Sequence, residues 1–258
     1  MRKLMRKPLS TRKLSQMMGS LRSIFFPHCF EEEDAEGPCL RKLDKVLRSQ
    51  LEAVLPDNEA HSVSDSFISG IDQIRILLET DVDAIAHNDP AVTVREEIIL
   101  CYPAVTVMLH YRVAHALYLL GVPIIPRMIT EMAHSSTGID IHPAAKIGKY
   151  FSIDHGTGIV IGATTIIGDH VMLYQGVTLG AKNFSYSEEG LPLNLPRHPI
   201  LEDNVTVYSN ASILGRVRIG HDTVVGGNVW LTSDVPPHSK ILQSKAVLRP
   251  AFEDGAGI

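Results

Sequence analysis

Residues 159–180 read IVIGATTIIGDHVMLYQGVTLG, and an aliphatic side chain returns at every sixth position: Ile161, Ile167, Leu173 and Leu179. Outward from this stretch the beat continues. Ile141, Ile147 and Ile153 precede it; after an interruption, Leu201, Val207, Ile213, Ile219, Val225 and Leu231 resume it. A small or β-branched residue follows four positions later in most hexads, as at Ala145, Val171, Val177, Val205, Ala211, Val217, Thr223 and Val229, with Phe151 as the exception. A period of six cannot be the stripe of an α-helix, which repeats every 3.6 residues. It suits a solenoid of short parallel strands, each hexad supplying one strand and one turn, with three hexads closing a triangular coil. The aliphatic residue points inward and stacks on its equivalent in the next coil, and glycine relieves the corners. Periodicity gives neither the hand of the coil nor an activity, and a purely structural scaffold has the same pattern.

The rhythm slips once. Between Ile153 and Ile161 the interval is eight, and the irregular stretch, FSIDHGTGIVIG at 151–162, carries His155 directly after Asp154. Upstream the period is helical. RKLDKVLRSQLEAVL spaces Leu43, Val46, Leu47, Leu51 and Val54 by three and four, SFISGIDQIRILLETDVDAIAHNDPA runs to Pro90, and VMLHYRVAHALYLLG ends at Gly121 and Pro123. The reading is an α+β multidomain chain. Residues 1–37 form a basic then acidic leader expected to be flexible, 38–138 a helical domain, 139–240 the β-helix with a loop at 181–198, and 241–258 a tail.

The 258 residues carry a net charge of −5, with 45% hydrophobic and 21% charged residues. Those values suit a globular protein and give no reason to expect nucleic acid. No apolar run is long enough to span a bilayer. Three cysteines, Cys29, Cys39 and Cys101, are an odd number without metal-like spacing and point to a reducing compartment, the cytoplasm. The first 22 residues carry seven Lys or Arg and no acid, which leaves an organelle transit peptide as the alternative.

DIHPAAKIG, DHGTGIVIG, YQGVTLG, RHP and DVPPHS occur in this order, with NDPA and YRVAHALYLLG upstream. Over about residues 80–238 the chain resembles the serine O-acetyltransferases, a branch of the hexapeptide-repeat acyltransferases. The resemblance implies a left-handed parallel β-helix after a helical domain. It also implies a homotrimer, or a hexamer made of two trimers, with active sites between neighbouring subunits. The implied reaction moves the acetyl group of acetyl-CoA, a co-substrate, to the hydroxyl of L-serine for cysteine biosynthesis, with no metal. His155 matches the family's catalytic base and Asp140 the aspartate that pairs with it, by Asp–His logic. Asp89 and Asp154 match the residues that hold the ammonium group of serine, and Arg197 and His198 those near its carboxylate and hydroxyl. By analogy Gly180, Ala181, Ser209 and Gly227 line the coenzyme groove. L-cysteine is the implied feedback inhibitor, occupying the serine site. The tail EDGAGI ends in Ile258, as do family tails that insert into O-acetylserine sulfhydrylase.

The chain departs from the family pattern in three places. LGAKN stands where LGGTG is usual, the loop at 181–198 is longer than in the common bacterial form, and the GVPA element after VPPH is missing. Two other readings keep the prism: an acetyltransferase for a sugar or xenobiotic hydroxyl, which would not need Asp89, and a non-catalytic scaffold. A zinc carbonic anhydrase ranks last, because the one His-x4-His pair, His110 and His115, falls in the helical half. His142, His170, His221 and His238 read as surface residues.

Overall fold

The computed structural model describes residues 5–30, 36–193 and 195–244. Seven helices among them precede the strands: α1 (Thr11–Phe25), α2 (Glu36–Leu51), α3 (Asp57–Ser69), α4 (Ile71–Asn88), α5 (Arg95–Cys101), α6 (Pro103–Leu119) and α7 (Ile125–Thr137). The single long helical stretch read across 66–90 is two helices, broken at Gly70. Part of the leader folds as well. Leu14, Met17, Met18, Leu21, Ile24 and Phe25 are buried along one face of α1, and the Ser10 hydroxyl caps it by accepting from the Lys13 N–H (3.3 Å). The expectation of a flexible leader therefore does not hold over Thr11–Phe25: Arg12 and Lys13 are exposed, while its apolar stripe joins the core and Arg22 donates to the Ile99 carbonyl (2.9 Å). The EEEDA segment at 31–35 and Ile258 lie outside the described residues.

The strands follow the hexads. The first face of the prism stacks β1 (Asp140–Ile141), β4 (Val160–Ile161), β7 (Thr178–Gly180), β10 (Ser212–Leu214) and β13 (Trp230–Leu231). The second stacks β2 (Lys146–Ile147), β5 (Ile166–Ile167), β8 (Ile200–Leu201) and β11 (Arg218–Ile219). The third stacks β3 (Ser152–Asp154), β6 (Met172–Tyr174), β9 (Thr206–Val207), β12 (Val224–Val225) and β14 (Lys240–Ile241). All pairings between these strands are parallel, and each places one hexad aliphatic on the next, as Ile161 on Ile141 and Leu179 on Ile161. The inward column is closed: Ile141, Ile161, Leu179 and Ile213 are each at most 1% exposed. Burying such residues is worth roughly 1.5–3 kcal/mol each, so the column is the main source of prism stability.

A buried ion pair fixes the helical domain on the first coil. Arg112 of α6 donates to both carboxylate oxygens of Asp81 on α4 (3.0 and 2.9 Å) and to the carbonyls of Ile147 (2.7 Å) and Gly148 (2.6 Å). Asp81 also accepts from the Phe151 N–H (3.2 Å), and the Tyr111 hydroxyl donates to the Ala145 carbonyl (2.6 Å). Burial pushes the Asp81 carboxyl up to about 6 against the pull of the guanidinium. The docking holds the C-terminal end of α4, and with it Asp89, beside the third face.

Candidate active site

The slip in the rhythm is a turn at the corner between the third and first faces. Register is kept through Asp154, which lies beside Tyr174, and is recovered at Val160, so the two extra residues fall in 155–159. His155, Gly156 and Gly158 all have left-handed φ (56°, 88° and 83°). Gly156 turns its back on Ile139 and Ile153, where a Cβ would collide with both side chains. The turn is pinned above by Gly176 N–H to the Thr157 carbonyl (2.9 Å) and below by Gly158 N–H to the Gly138 carbonyl (2.8 Å). The His155 side chain is left 76% exposed, its Nε2 3.7 Å from Asp154 Oδ1.

Asp89 caps the end of α4 and comes to the same corner. The neighbouring Asn88 donates to the Ser152 hydroxyl of β3 (3.0 Å). Asp89 Oδ2 accepts from the Tyr102 hydroxyl (2.7 Å) and Oδ1 from the Ala91 N–H (2.8 Å). These donors hold its carboxyl below the usual range, with a smaller contribution from His155. The same bond pushes the Tyr102 phenol up to about 12. Tyr174, stacked on Tyr208 at 4.7 Å, is raised by burial first and then by Tyr208, Asp154 and Asp89. Ser209 and Gly227 lie further along this corner, packed so closely that a Cβ on Gly227 would be 3.1 Å from the Ser209 carbonyl oxygen.

Asp140 does not join this group in the way expected. Its carboxylate accepts from Arg127 of α7 (3.0 Å), which also pairs with Glu131. Within the chain the carboxylate beside His155 is that of Asp154, and Asp140 pairs with Arg127 instead of with the ring. Asp140 sits on β1 directly beneath Val160, facing outward on the first face.

Arg197 and His198 stand at another corner, where the loop 181–198 leads from the first face into the second. Gly180 and Ala181 leave β7 at the same corner. His198 is 7% exposed, and a Cβ on Gly162 would collide with its ring. Its Nδ1 accepts from the Thr164 N–H (3.1 Å) and hydroxyl (2.8 Å), which leaves the proton on Nε2. The Thr164 hydroxyl in turn accepts from the Arg197 and His198 N–H groups (2.9 and 3.1 Å). Arg216 ties the corner by donating to the Thr164 and His198 carbonyls (2.6 and 2.9 Å). A cavity of about 420 Å³ opens here, lined by His142, Thr164, Arg197 and Arg216 among others. His142, read as a surface residue, is half-buried in it. The chain therefore divides its candidate residues between two edges that border the same face. One edge has the carboxylates and the exposed imidazole; the other has the cation and the neutral imidazole.

No protein-family model matches the chain. A serine acetyltransferase of Synechococcus elongatus, plasmid-borne, is 41% identical over 97% of this chain and 86% of its own length. The chain belongs to the serine acetyltransferases. Among solved structures, serine acetyltransferase 1 of Entamoeba histolytica in complex with L-cysteine superposes with a TM-score of 0.82 at 35% identity, covering 92% of this chain and 88% of that one. The Neisseria gonorrhoeae enzyme in complex with serine gives 0.63 at 27% identity, covering 90% and 97%. The activity is acetyl transfer to serine, and it implies acetyl-CoA as co-substrate. Among the described residues no helix is long and apolar enough to cross a membrane.

In a serine acetyltransferase with this corner, acid sensitivity has a definite source. Burial, followed by Arg197, His142 and Arg216, lowers His198 from 6.5 to about 4. Between those values the unfolded chain binds the proton and the folded chain refuses it, so stability falls as the pH drops from 6.5 to about 4. The contribution is on the order of 3 kcal/mol. His110, His115 and His142 are lowered by burial and act in the same direction. Melting curves across this window should show Tm falling with pH, and His198→Gln should flatten the fall. Parallel curves for the two proteins would contradict a buried neutral imidazole.

Proposed function

We propose that this serine acetyltransferase works at a site shared between two copies of the chain. The third/first corner of one copy faces the first/second corner of its neighbour. The observation that carries the reading is the division of the candidate residues between two edges of one prism. The face between those edges also exposes Trp230 (70%) and Val160 (38%), apolar surface that three-fold packing would cover. A homotrimer satisfies this arrangement; a hexamer would add a contact between helical domains.

In the proposed reaction Asp89 and Asp154 hold the serine ammonium group, and Arg197 of the neighbour holds the carboxylate. The neutral His198 donates from Nε2 to a substrate oxygen. His155 takes the hydroxyl proton as the serine oxygen attacks the thioester carbonyl carbon. The tetrahedral intermediate collapses with cleavage of the carbon–sulfur bond, and the leaving thiolate receives the proton from the imidazolium. Asp140 is proposed to orient that imidazolium once His155 turns from its exposed position toward the first face, with Arg127 releasing it. The coenzyme would run along the groove between Ser209 and Gly227 of one copy and Gly180 and Ala181 of the other, where small side chains admit a slender arm. L-cysteine, bound by the Entamoeba relative, is proposed to inhibit by occupying the serine site. The association of Ile258 with a sulfhydrylase stays part of this reading. Cys29 and Cys101 carry free thiols, which supports a cytoplasmic location.

Release of coenzyme A thiol from acetyl-CoA tests the acceptor. It should depend on L-serine and not respond to a galactoside. Release with the galactoside alone would move the enzyme to the sugar branch and leave Asp89 as a turn residue.

A further inference from the structure

The remaining corner, between the second and third faces, holds a cluster that acetyl transfer does not use. His221 and Asp222 form this corner in one coil, and His238 forms it in the next. Asp222 and His238 both have left-handed φ (56° and 57°), and the His238 N–H donates to the His221 carbonyl (2.9 Å). The backbone thus stacks the two corners and gathers three side chains at one point. His221 Nδ1 lies 2.6 Å from Asp222 Oδ2, and His238 Nδ1 lies 3.7 Å from the same oxygen. The two imidazole rings meet edge to face with centroids 4.8 Å apart.

We propose that His221, Asp222 and His238 form a binding site for a divalent transition-metal ion of the zinc type. Donor atoms around a tetrahedral zinc, each about 2.0–2.1 Å from the metal, stand about 3.3 Å from one another. The two separations here, 2.6 and 3.7 Å, bracket that value, and all three donors fall within 4.8 Å of one another. The side chains are 45%, 42% and 71% exposed in sequence order, so they can adjust by a few tenths of an ångström, and a hydrated ion can reach them. Two imidazoles and one carboxylate favour zinc, nickel or copper over magnesium or calcium. Water completes the coordination.

The surroundings are those of a ligand set. Asn204, from the preceding coil, hydrogen-bonds the Asp222 carboxylate, an outer contact that orients it. The His221 N–H donates to Glu202 Oε2 (3.1 Å), which fixes the start of the turn. A second group with suitable donors, Glu131, His134 and Asp140, is a poorer candidate, because the Arg127 guanidinium already pairs with Glu131 and Asp140. At the 221/238 corner the proton shared by His221 and Asp222 would leave as the ion binds. The ion would tie the turn at 236–239 to the turn at 221–222. That closes the last of the described coils, where Lys240 and Ile241 pair with Val224 and Val225. Its role would be a staple on the C-terminal end of the prism, away from both corners of the acetyl-transfer site.

The test uses the full-length oligomer, stripped with a chelator and titrated with zinc chloride against a chromophoric chelator. One zinc ion per chain is expected, with a rise in Tm. His221→Ala and His238→Ala should each weaken binding at least tenfold and abolish the rise in Tm. Serine-dependent thiol release should be unchanged in both variants and in the stripped protein, which confirms that they are folded. Absence of binding by the wild type overturns the proposal. So does binding of equal strength in the variants, which would place the ion elsewhere.

Discussion

His155→Ala lowers serine-dependent thiol release by about 10²–10⁴-fold, the range by which a positioned general base accelerates proton transfer. That range corresponds to about 2.7–5.4 kcal/mol on the barrier, more than an exposed surface contact can supply. The side chain is 76% exposed, with its Nε2 3.7 Å from Asp154 Oδ1, so its removal should leave the fold intact. The backbone adds a complication, because φ at this residue is 56° and alanine is strained there. His155→Asn is the control. Asn204, Asn210 and Asn228 already occupy left-handed corners of this prism (φ 58°, 59° and 57°). The asparagine variant should match the wild type in Tm while losing as much activity as the alanine one. More than a tenth of wild-type activity in both variants would reject His155 as the base. Asp140→Asn and Asp154→Asn separate the two carboxylates. An orienting Asp140 lowers kcat, whereas an ammonium-binding Asp154 raises the KM for serine.

The prism was legible because six residues per side is a direct consequence of stacking three-sided coils. Every hexad aliphatic from Ile141 to Val225 lies in the inward column. The irregular interval was legible for the same reason, since a two-residue excess must leave the wall somewhere. The helix over Thr11–Phe25 was hidden by its charge. The first 22 residues carry seven basic side chains, three of them (Arg12, Lys13 and Arg22) on the helix itself, and this charge masks an apolar spacing, at 14, 17, 18, 21, 24 and 25, that is as regular as that of α2.

The contributions of Tyr102 and Thr164 had no pattern to reveal them. Tyr102 meets Asp89 only because α4 and α6 are docked by Arg112 and Asp81, and Thr164 meets His198 only because one coil stacks on the next. The separation of Arg197 and His198 from His155 could have been found in the sequence. Counting hexads in threes places Ile161 and Leu179 on the first face and Leu201 on the second, so the loop between Leu179 and Leu201 must turn the corner that His155 does not occupy. The long insertion at 181–198 masks that count. The ion pair of Asp140 with Arg127 could not have been counted, because it depends on how α7 lies across β1.

The division between corners makes a second prediction of comparable size. Arg197→Ala alone should be nearly inactive, since it removes the cation proposed to hold the serine carboxylate, and His155→Ala alone should be nearly inactive for the reason given above. Unfolded together in equal amounts and refolded, the two should recover activity that neither has. A shared site is intact where a copy with native His155 abuts a neighbour with native Arg197. In trimers assembled at random from two variants, about one interface in four meets that condition, given closed three-fold symmetry. The expected activity of the mixture is therefore roughly a quarter of wild type, at least tenfold above either variant refolded alone. A site contained within one chain predicts no recovery, because every chain would carry one lesion. The double variant His155→Ala/Arg197→Ala refolded with wild type is the control. Random assembly again leaves about a quarter of the interfaces with both native residues, so equal recovery in the two mixtures assigns the two corners to different copies of the chain.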